Sequence, residues 1–187
     1  SPLDWSPDGK WLVGHCPNGP SGLNATCVKR LPDAASDNEP LHILASDPGR
    51  NLFQQRFSPN QQWISFMAID ADDAGASTIY VMPATGGPWR PMTDGTRFDD
   101  KPRWSPDGRT IYFVSNREGL LNLWGRRVNP LSGEPVGPPF RVTSFSSPSK
   151  MVSTERLAMQ FALTVDRLFL PVTQSESELW IIEGLEP

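Results

Sequence analysis

Three near-copies of one short phrase constrain this chain more than anything else in it: Asp4-Trp5-Ser6-Pro7-Asp8-Gly9, Arg56-Phe57-Ser58-Pro59-Asn60-Gln61 and Arg103-Trp104-Ser105-Pro106-Asp107-Gly108. Each runs at once into an apolar, β-type segment: Trp11-Leu12-Val13, Trp63-Ile64-Ser65-Phe66 and Ile111-Tyr112-Phe113-Val114. The aromatic anchors Trp5, Phe57 and Trp104 recur at roughly 50 residues, the period at which repeats mean propeller blades or solenoid turns. A repeating architecture follows, and it accounts for most of the conspicuous residues before any chemistry is invoked.

The third copy is the cleanest. A first strand is predicted at 102–105. Ser105-Pro106-Asp107-Gly108 then suits a tight hairpin, because proline presets φ, aspartate bonds its own backbone and glycine accepts positive φ. The second strand, 110–115, is apolar at consecutive positions, as expected of a sheet covered on both faces. A turn at Asn116-Arg117-Glu118-Gly119 leads to a third strand at 121–128. A Pro/Gly-dense loop at 129–139 leads to a fourth at 140–144. Four antiparallel strands in about 45 residues make a propeller blade.

The other copies follow the same order. Strands are predicted at 3–5, 11–16, 26–31 and 41–45 in the first, and at 55–57, 63–69, 78–82 and 89–92 in the second. There Asn60-Gln61-Gln62 replaces Asp-Gly-Lys, so a non-glycine must take positive φ, at about 1–2 kcal/mol, or the turn must differ. In a degenerate fourth copy Gln160-Phe161-Ala162-Leu163 stands in place of Arg103-Trp104-Ser105-Pro106. Residues 159–163 are read as its first strand, 167–172 as its second and Glu178-Leu179-Trp180-Ile181-Ile182 as its third.

The expectation is an all-β fold: a single β-propeller domain over 1–187, of about four blade units of four antiparallel strands. The blades span roughly 1–49, 50–97, 98–150 and 151–187, the last incomplete. An open array leaves two sheet faces bare, so the chain is expected to be part of a larger ring or to associate with itself through those faces.

Composition agrees. Among 187 residues, seven Trp and nine Phe supply large buried area, while 20 Pro and 15 Gly favour turns over long helices. The net charge of −4, with scattered Lys and Arg, excludes the basic stripe of a nucleic-acid protein. No apolar stretch approaches the roughly 20 residues of a membrane helix. The sequence opens directly on a repeat, so an export signal or anchor upstream would leave no trace in it.

Little chemistry is nominated. Cys16 and Cys27 flank Pro17-Asn18-Gly19-Pro20-Ser21-Gly22; they form a disulfide if the flanking runs make a hairpin that brings them together near its open end, and are otherwise two buried free thiols. His15 and His42 have no ligand-spaced companions and read as strand residues. Asp70, Asp72, Asp73 and Gly75 resemble the start of a calcium loop, but Ala74 and Val81 occupy the places where ligands are needed, which makes this a solvated hairpin tip. Gly19-Pro20-Ser21-Gly22 fails the spacing of a nucleophile elbow, and no glycine-rich loop opens a helix. No catalytic, cofactor or metal residue is therefore assigned.

Trp5, Trp63, Trp104, Trp124 and Trp180 fall at repeating positions and are expected to pack between blades. Trp89 does not recur and is the candidate exposed aromatic contact. Asp99 and Asp100, ahead of a first strand, are candidates for the channel mouth or, more simply, a polar loop. Asn24-Ala25-Thr26 matches a glycosylation acceptor, a pattern common by chance.

The phrase Trp-Ser-Pro-Asp-Gly-(Lys/Arg) at the head of an apolar strand, and above all the stretch from Pro102 to Arg117, resembles the WD-like repeats of TolB-type β-propellers. It is similar also to propellers that follow a membrane anchor in bacterial Ser/Thr kinases and regulators. The resemblance implies a non-catalytic platform in the periplasm or outside the cell that binds a protein or peptide partner, with motif residues that are structural. Prolyl-oligopeptidase-type hydrolases carry similar blades, so the alternative is a propeller that gates a separate catalytic domain. A third reading, a propeller enzyme with a metal in its channel, needs carboxylates or histidines converging from several blades.

Overall fold

The computed structural model describes residues 2–18, 22–31, 40–153 and 160–176. Three four-stranded antiparallel sheets follow one another along the chain. The first holds β1 (Pro2–Trp5), β2 (Trp11–Pro17), β3 (Asn24–Arg30) and β4 (His42–Ala45) in sequence order. The second holds β5 (Arg50–Phe57), β6 (Trp63–Asp70), β7 (Ser77–Pro83) and β8 (Arg90–Pro91). The third holds β9 (Asp99–Trp104), β10 (Thr110–Glu118), β11 (Leu120–Val128) and β12 (Pro135–Arg141). Each is a propeller blade, and no helix occurs among the described residues.

The repeated phrase builds the hairpin between the first two strands of each blade. Ser105 Oγ donates to Asp107 Oδ1 at 2.5 Å and accepts from the Thr110 amide at 2.9 Å, tying the turn to the head of β10. Ser6 and Asp8 repeat this at 2.5 Å, with Trp11 N donating to Ser6 Oγ at 2.9 Å. Ser58 and Asn60 do the same in the second blade at 2.7 Å. The serine hydroxyl is the leading reason that Asp8 and Asp107 titrate below the ordinary carboxylate range. At the glycine position Gly9 and Gly108 have φ of 71° and 68°, and Gln61 takes 60° in their place. The second copy therefore keeps the turn and carries the strain.

The core lies between sheets. One cluster joins Val13, Val28 and Ala45 of the first blade to Leu52, Phe57, Ile64, Phe66 and Met82 of the second. Another joins Trp63, Ile79, Val81 and Met92 to Trp104, Ile111, Phe113 and Trp124. Covered on both sides, β6 is buried at seven consecutive positions, which is why its sequence does not alternate.

Several boundaries differ from the sequence reading. The first strands begin earlier, at Arg50 and Asp99, because each contains a bulge that hides its continuity. Rather than turning over four residues, β10 runs on to Glu118, and only Gly119 (φ 94°) reverses the chain. The fourth strand, expected at 140–144, runs instead over Pro135–Arg141, so that 135–139, expected as loop, belongs to the outermost strand; prolines are tolerated there because one side of an edge strand needs no donors.

Beyond the third blade, β13 (Lys150–Val152) pairs with β16 (Val172–Gln174), and β14 (Ala162–Leu163) with β15 (Leu168–Phe169). The strand expected at 167–172 is thus split in two. Val152 and Phe161 pack against Val114 and Leu123, so this unit covers the far face of the third blade. Met159 and the strand expected at Glu178 to Ile182, with Trp180, lie outside the described residues.

Candidate functional site

Strands β1, β5 and β9 form the inner edge of the blade array: β5 touches β1 on one side and β9 on the other. Both β5 and β9 break register at the same place, between Phe53 and Arg56 in one and between Asp100 and Arg103 in the other. Gln54 and Lys101 sit at equivalent points of these bulges with φ of 60° and 56°. Neither is glycine, so each holds a conformation that costs about 1–2 kcal/mol. Strain repeated at one register, and facing a cavity, marks a constructed surface.

That surface is a groove of about 360 Å³ between the second and third blades, lined by Phe53, Gln54, Met67, Asp70, Asp100 and Lys101 among others. Lys101 donates its amide to Asp100 Oδ1 at 2.6 Å, and its ammonium lies 3.9 Å from Asp100 Oδ2. Both side chains are buried, so the pair is a fixed dipole at the groove wall. Gln54 Oε1 is buried and accepts no hydrogen bond among the described residues. Asp70 stands exposed at the rim, where its Oδ1 accepts from the Asp72 amide at 2.9 Å. Asp73 likewise accepts from Gly75 N at 2.8 Å, so this tip spends its carboxylates on its own backbone.

Asp99 goes elsewhere. It is fully buried, accepts from Arg117 Nη2 at 3.0 Å and exchanges backbone bonds with Ser77 Oγ at 2.7 and 2.9 Å. Burial raises its carboxyl above the usual range, against the pull of Ser115 and Arg117. Of the two acids expected at the channel mouth, only Asp100 lines the groove. Asp99 is an internal strut, and neither belongs to a polar loop, since both lie in β9.

Further along the inner edge, the residue before each anchor forms a second polar row: Asp4, Arg56, Arg103 and Gln160. Phe57 N donates to Asp4 Oδ2 at 2.8 Å, and Trp104 Nε1 to the Arg56 carbonyl at 3.3 Å, so each blade is latched to its predecessor. Arg56 Nη1 donates to the Leu3 carbonyl of β1 and, at 3.3 Å, to that of Gln55. Arg103 Nη1 donates to the Pro102 carbonyl at 2.9 Å, and its Nη2 to Gln160 Oε1. Its guanidinium stands over the Phe161 ring, 5.8 Å from the centroid. Burial is the leading cause that pushes Arg103 down to about 10 and lowers Arg56; the neighbouring Arg56 charge adds to the first.

Trp89 is not the free aromatic expected from its lack of recurrence. It packs edge-on against Phe66 at 5.0 Å and Tyr80 at 5.5 Å, with the Arg50 guanidinium 5.5 Å from its ring centre. Trp5 makes the opposite correction. Anchors face the preceding blade, as Phe57 and Trp104 do, and no described blade stands before β1; Trp5 is 65% exposed. Trp63, Trp104 and Trp124 are buried between blades as expected.

Cys16 and Cys27 form a disulfide across the β2–β3 hairpin, with Cα atoms 6.0 Å apart. They are diagonal neighbours close to the hairpin's loop rather than its open end, since Cys16 faces Ala25 and Cys27 faces Gly14. His15 stacks edge-on against Phe53 of the next blade at 5.3 Å, and burial lowers its pKa; His42 is exposed. Among the described residues no group of three or more His, Cys, Asp or Glu is placed to hold a metal ion. Gln54, Lys101, Arg56 and Arg103 were not nominated by the sequence; only their shared offset from the anchors could have singled them out.

No protein-family model matches the chain. An uncharacterized protein of Agrobacterium fabrum is 27% identical over 177 residues, covering 71% of this chain and 56% of its own length. An uncharacterized peptidase of Bacillus subtilis is 45% identical over 71 residues, 35% of this chain and 11% of the peptidase. Among solved structures, TolB of Acinetobacter baumannii superposes with a TM-score of 0.67 at 22% identity, over 95% of this chain and 38% of that one. A puromycin-hydrolyzing peptidase of Mycobacterium tuberculosis gives 0.64 at 17% identity, over 90% of this chain and 27% of the peptidase. The fold is the TolB-type β-propeller, which peptidase propellers share, and the chain spans 56% of the length of one curated relative and 11% of the other.

Proposed function

We propose that this chain is a non-catalytic binding module of the bacterial envelope that takes a protein or peptide partner along the inner edge of its blades. The observation that carries this reading is the matched pair of left-handed residues, Gln54 and Lys101, which line one groove at the cost of strain. The serines and acids of the repeated phrase support it by subtraction, since their hydrogen bonds are committed to turns. The Cys16–Cys27 disulfide favours an oxidising compartment, periplasmic or extracellular. Exposed Trp5, Leu41 and Ile43 on the first blade leave it a face through which a second copy or a further blade would dock.

The test is site-specific photocross-linking in cells producing the full-length protein. A photoreactive residue at Asp70, on the groove rim, is expected to capture a discrete partner. One at the distant, exposed Leu131 is not. Equal labelling at both positions, or at neither, removes the axial reading.

A second reading has its own support. The 71-residue match to a peptidase, and the superposition on a peptidase propeller, favour a gate over a hydrolase domain. Labelling of the full-length protein by a fluorophosphonate serine probe, with cleavage of aminoacyl anilides, would establish it and displace the non-catalytic reading.

A further inference from the structure

Arg56 and Arg103 occupy the same position in adjacent inner strands, each directly before its aromatic anchor. Both are half-buried, and neither has an ion-pair partner among the described residues. Several other arginines pair with a carboxylate, although half-buried Arg126, like these two, has no ion pair among the described residues. Arg50 pairs with Asp47 at 2.7 Å, Arg90 with Glu134 at 2.8 Å, Arg117 with Asp99 at 3.0 Å and Arg141 with Glu118 at 2.6 Å. Arg56 and Arg103 instead donate to main-chain carbonyls and the neutral amide of Gln160. Each guanidinium keeps further N–H donors beyond those bonds, in a planar fork suited to a carboxylate. Asp4 acts favourably on both charges and Asp100 on that of Arg103, but neither acid forms an ion pair with them, so burial and the repulsion between two like charges are only partly offset. Such an arrangement persists where a ligand supplies the missing charge.

We infer that Arg56 and Arg103 form a receptor for a carboxylate, which enters along the inner edge of the blades and is held by guanidinium groups from two adjacent sheets. Asp4, at the same register, bounds the site on one side, and Phe161 beneath Arg103 supplies an apolar floor for what bears the carboxylate. The carboxylate comes from a peptide C-terminus or from an acidic side chain. This inference deepens the axial-binding reading and rests on it.

The test is calorimetric titration of the purified chain with three short peptides: N-acetyl-trialanine with a free C-terminus, its C-terminal amide, and N-acetyl-Ala-Glu-Ala-amide. The free acid is expected to bind, and the amide about tenfold or more weakly, the ratio expected when one charge-assisted pair is lost. Binding of the glutamyl amide at the strength of the free acid assigns the source to a side chain; its failure assigns it to a chain terminus. Arg56→Gln and Arg103→Gln should each weaken the acid by about tenfold or more while leaving the melting temperature level or higher, because a buried charge and its repulsion of the neighbouring guanidinium are removed. Amide binding as tight as the acid, no binding of any peptide, or unchanged acid affinity in a folded variant overturns the receptor. The comparison on the unmodified chain decides the matter even if a variant fails to fold. A cross-link at Asp70 together with silent titrations would leave the axial reading standing and remove this one alone.

Discussion

Arg117 donates to Asp99 at 3.0 Å while its guanidinium lies over two rings, 5.1 Å from the centre of Phe113 and 4.9 Å from that of Trp124. The acid is fully buried and the two rings belong to the core between the second and third blades. The pair therefore fastens the start of β9 to β10 and β11 from inside. Burial raises the Asp99 carboxyl despite its cationic neighbour, so attraction does not fully repay desolvation. Asp99→Ala is expected to cost about 3 kcal/mol or more in urea unfolding, because it strands the arginine. The double change Asp99→Leu with Arg117→Met should cost much less than the sum of the single changes, which a double-mutant cycle measures directly.

Gln61 supplies a sharper test of the turn. It holds φ of 60° where its counterparts Gly9 and Gly108 hold 71° and 68°. Gln61→Gly should relieve about 1 kcal/mol of strain, raising the melting temperature by about 2–4 °C. Gly108→Ala should do the reverse by a similar amount; the new Cβ would meet Pro59 only at 3.6 Å, so strain rather than crowding sets the cost. Equal melting temperatures for both variants would contradict this.

Those turns were legible in the sequence because the Ser-Pro-Asp-Gly chemistry is local, and Gln61 could be flagged from its glycine counterparts alone. The inner edge was not legible. The bulges at Gln54 and Lys101 shift the parity of β5 and β9, so Asp99 turns into the core while Asp100 faces the groove, and alternation cannot reveal an inserted residue. Arg56 and Arg103 read as ordinary strand arginines; only the packing shows that, among the described residues, neither forms an ion pair, the charges of Asp4 and Asp100 acting on them from farther off. Trp5 and Trp89 were misplaced for the same reason, since burial of an aromatic depends on the sheet beside it rather than on its own strand.

Trp104 and Trp5 make that dependence measurable. Both head the same repeat, yet Trp104 is 9% exposed between blades and Trp5 is 65% exposed. Trp104→Ala is expected to destabilise by about 3–5 kcal/mol, the cost of truncating a buried aromatic. Trp5→Ala should stay within about 0.5 kcal/mol, as for a surface change. Comparable losses on chemical denaturation would mean that Trp5 is covered in solution.

His15 gives the fold a pH dependence with a definite sign. Its imidazole is packed against Phe53, and burial holds its pKa below the ordinary value of 6.5. Around and below that value the unfolded chain therefore binds more protons than the folded one, so stability rises with pH there and falls as the solution is acidified. His15→Phe should flatten the slope between about pH 5 and 7 and preserve the contact with Phe53. A slope unchanged by the substitution would assign the effect to other groups.

Reduction of the Cys16–Cys27 bond tests how much the first blade relies on its covalent tie. The residues are eleven apart in sequence and joined across β2 and β3. Closing a loop of that size restricts the unfolded chain by about 3 kcal/mol in the chain-entropy account. Only the first blade has such a tie, and the face carrying Trp5 has no described sheet against it. Reduction, or Cys16→Ser with Cys27→Ser, should therefore loosen β1–β4 first. Amide hydrogen exchange should accelerate in β2 and β3 while β6 and β10, buried between neighbours, remain protected. Uniform acceleration across all three blades would show instead that they unfold as a single cooperative unit.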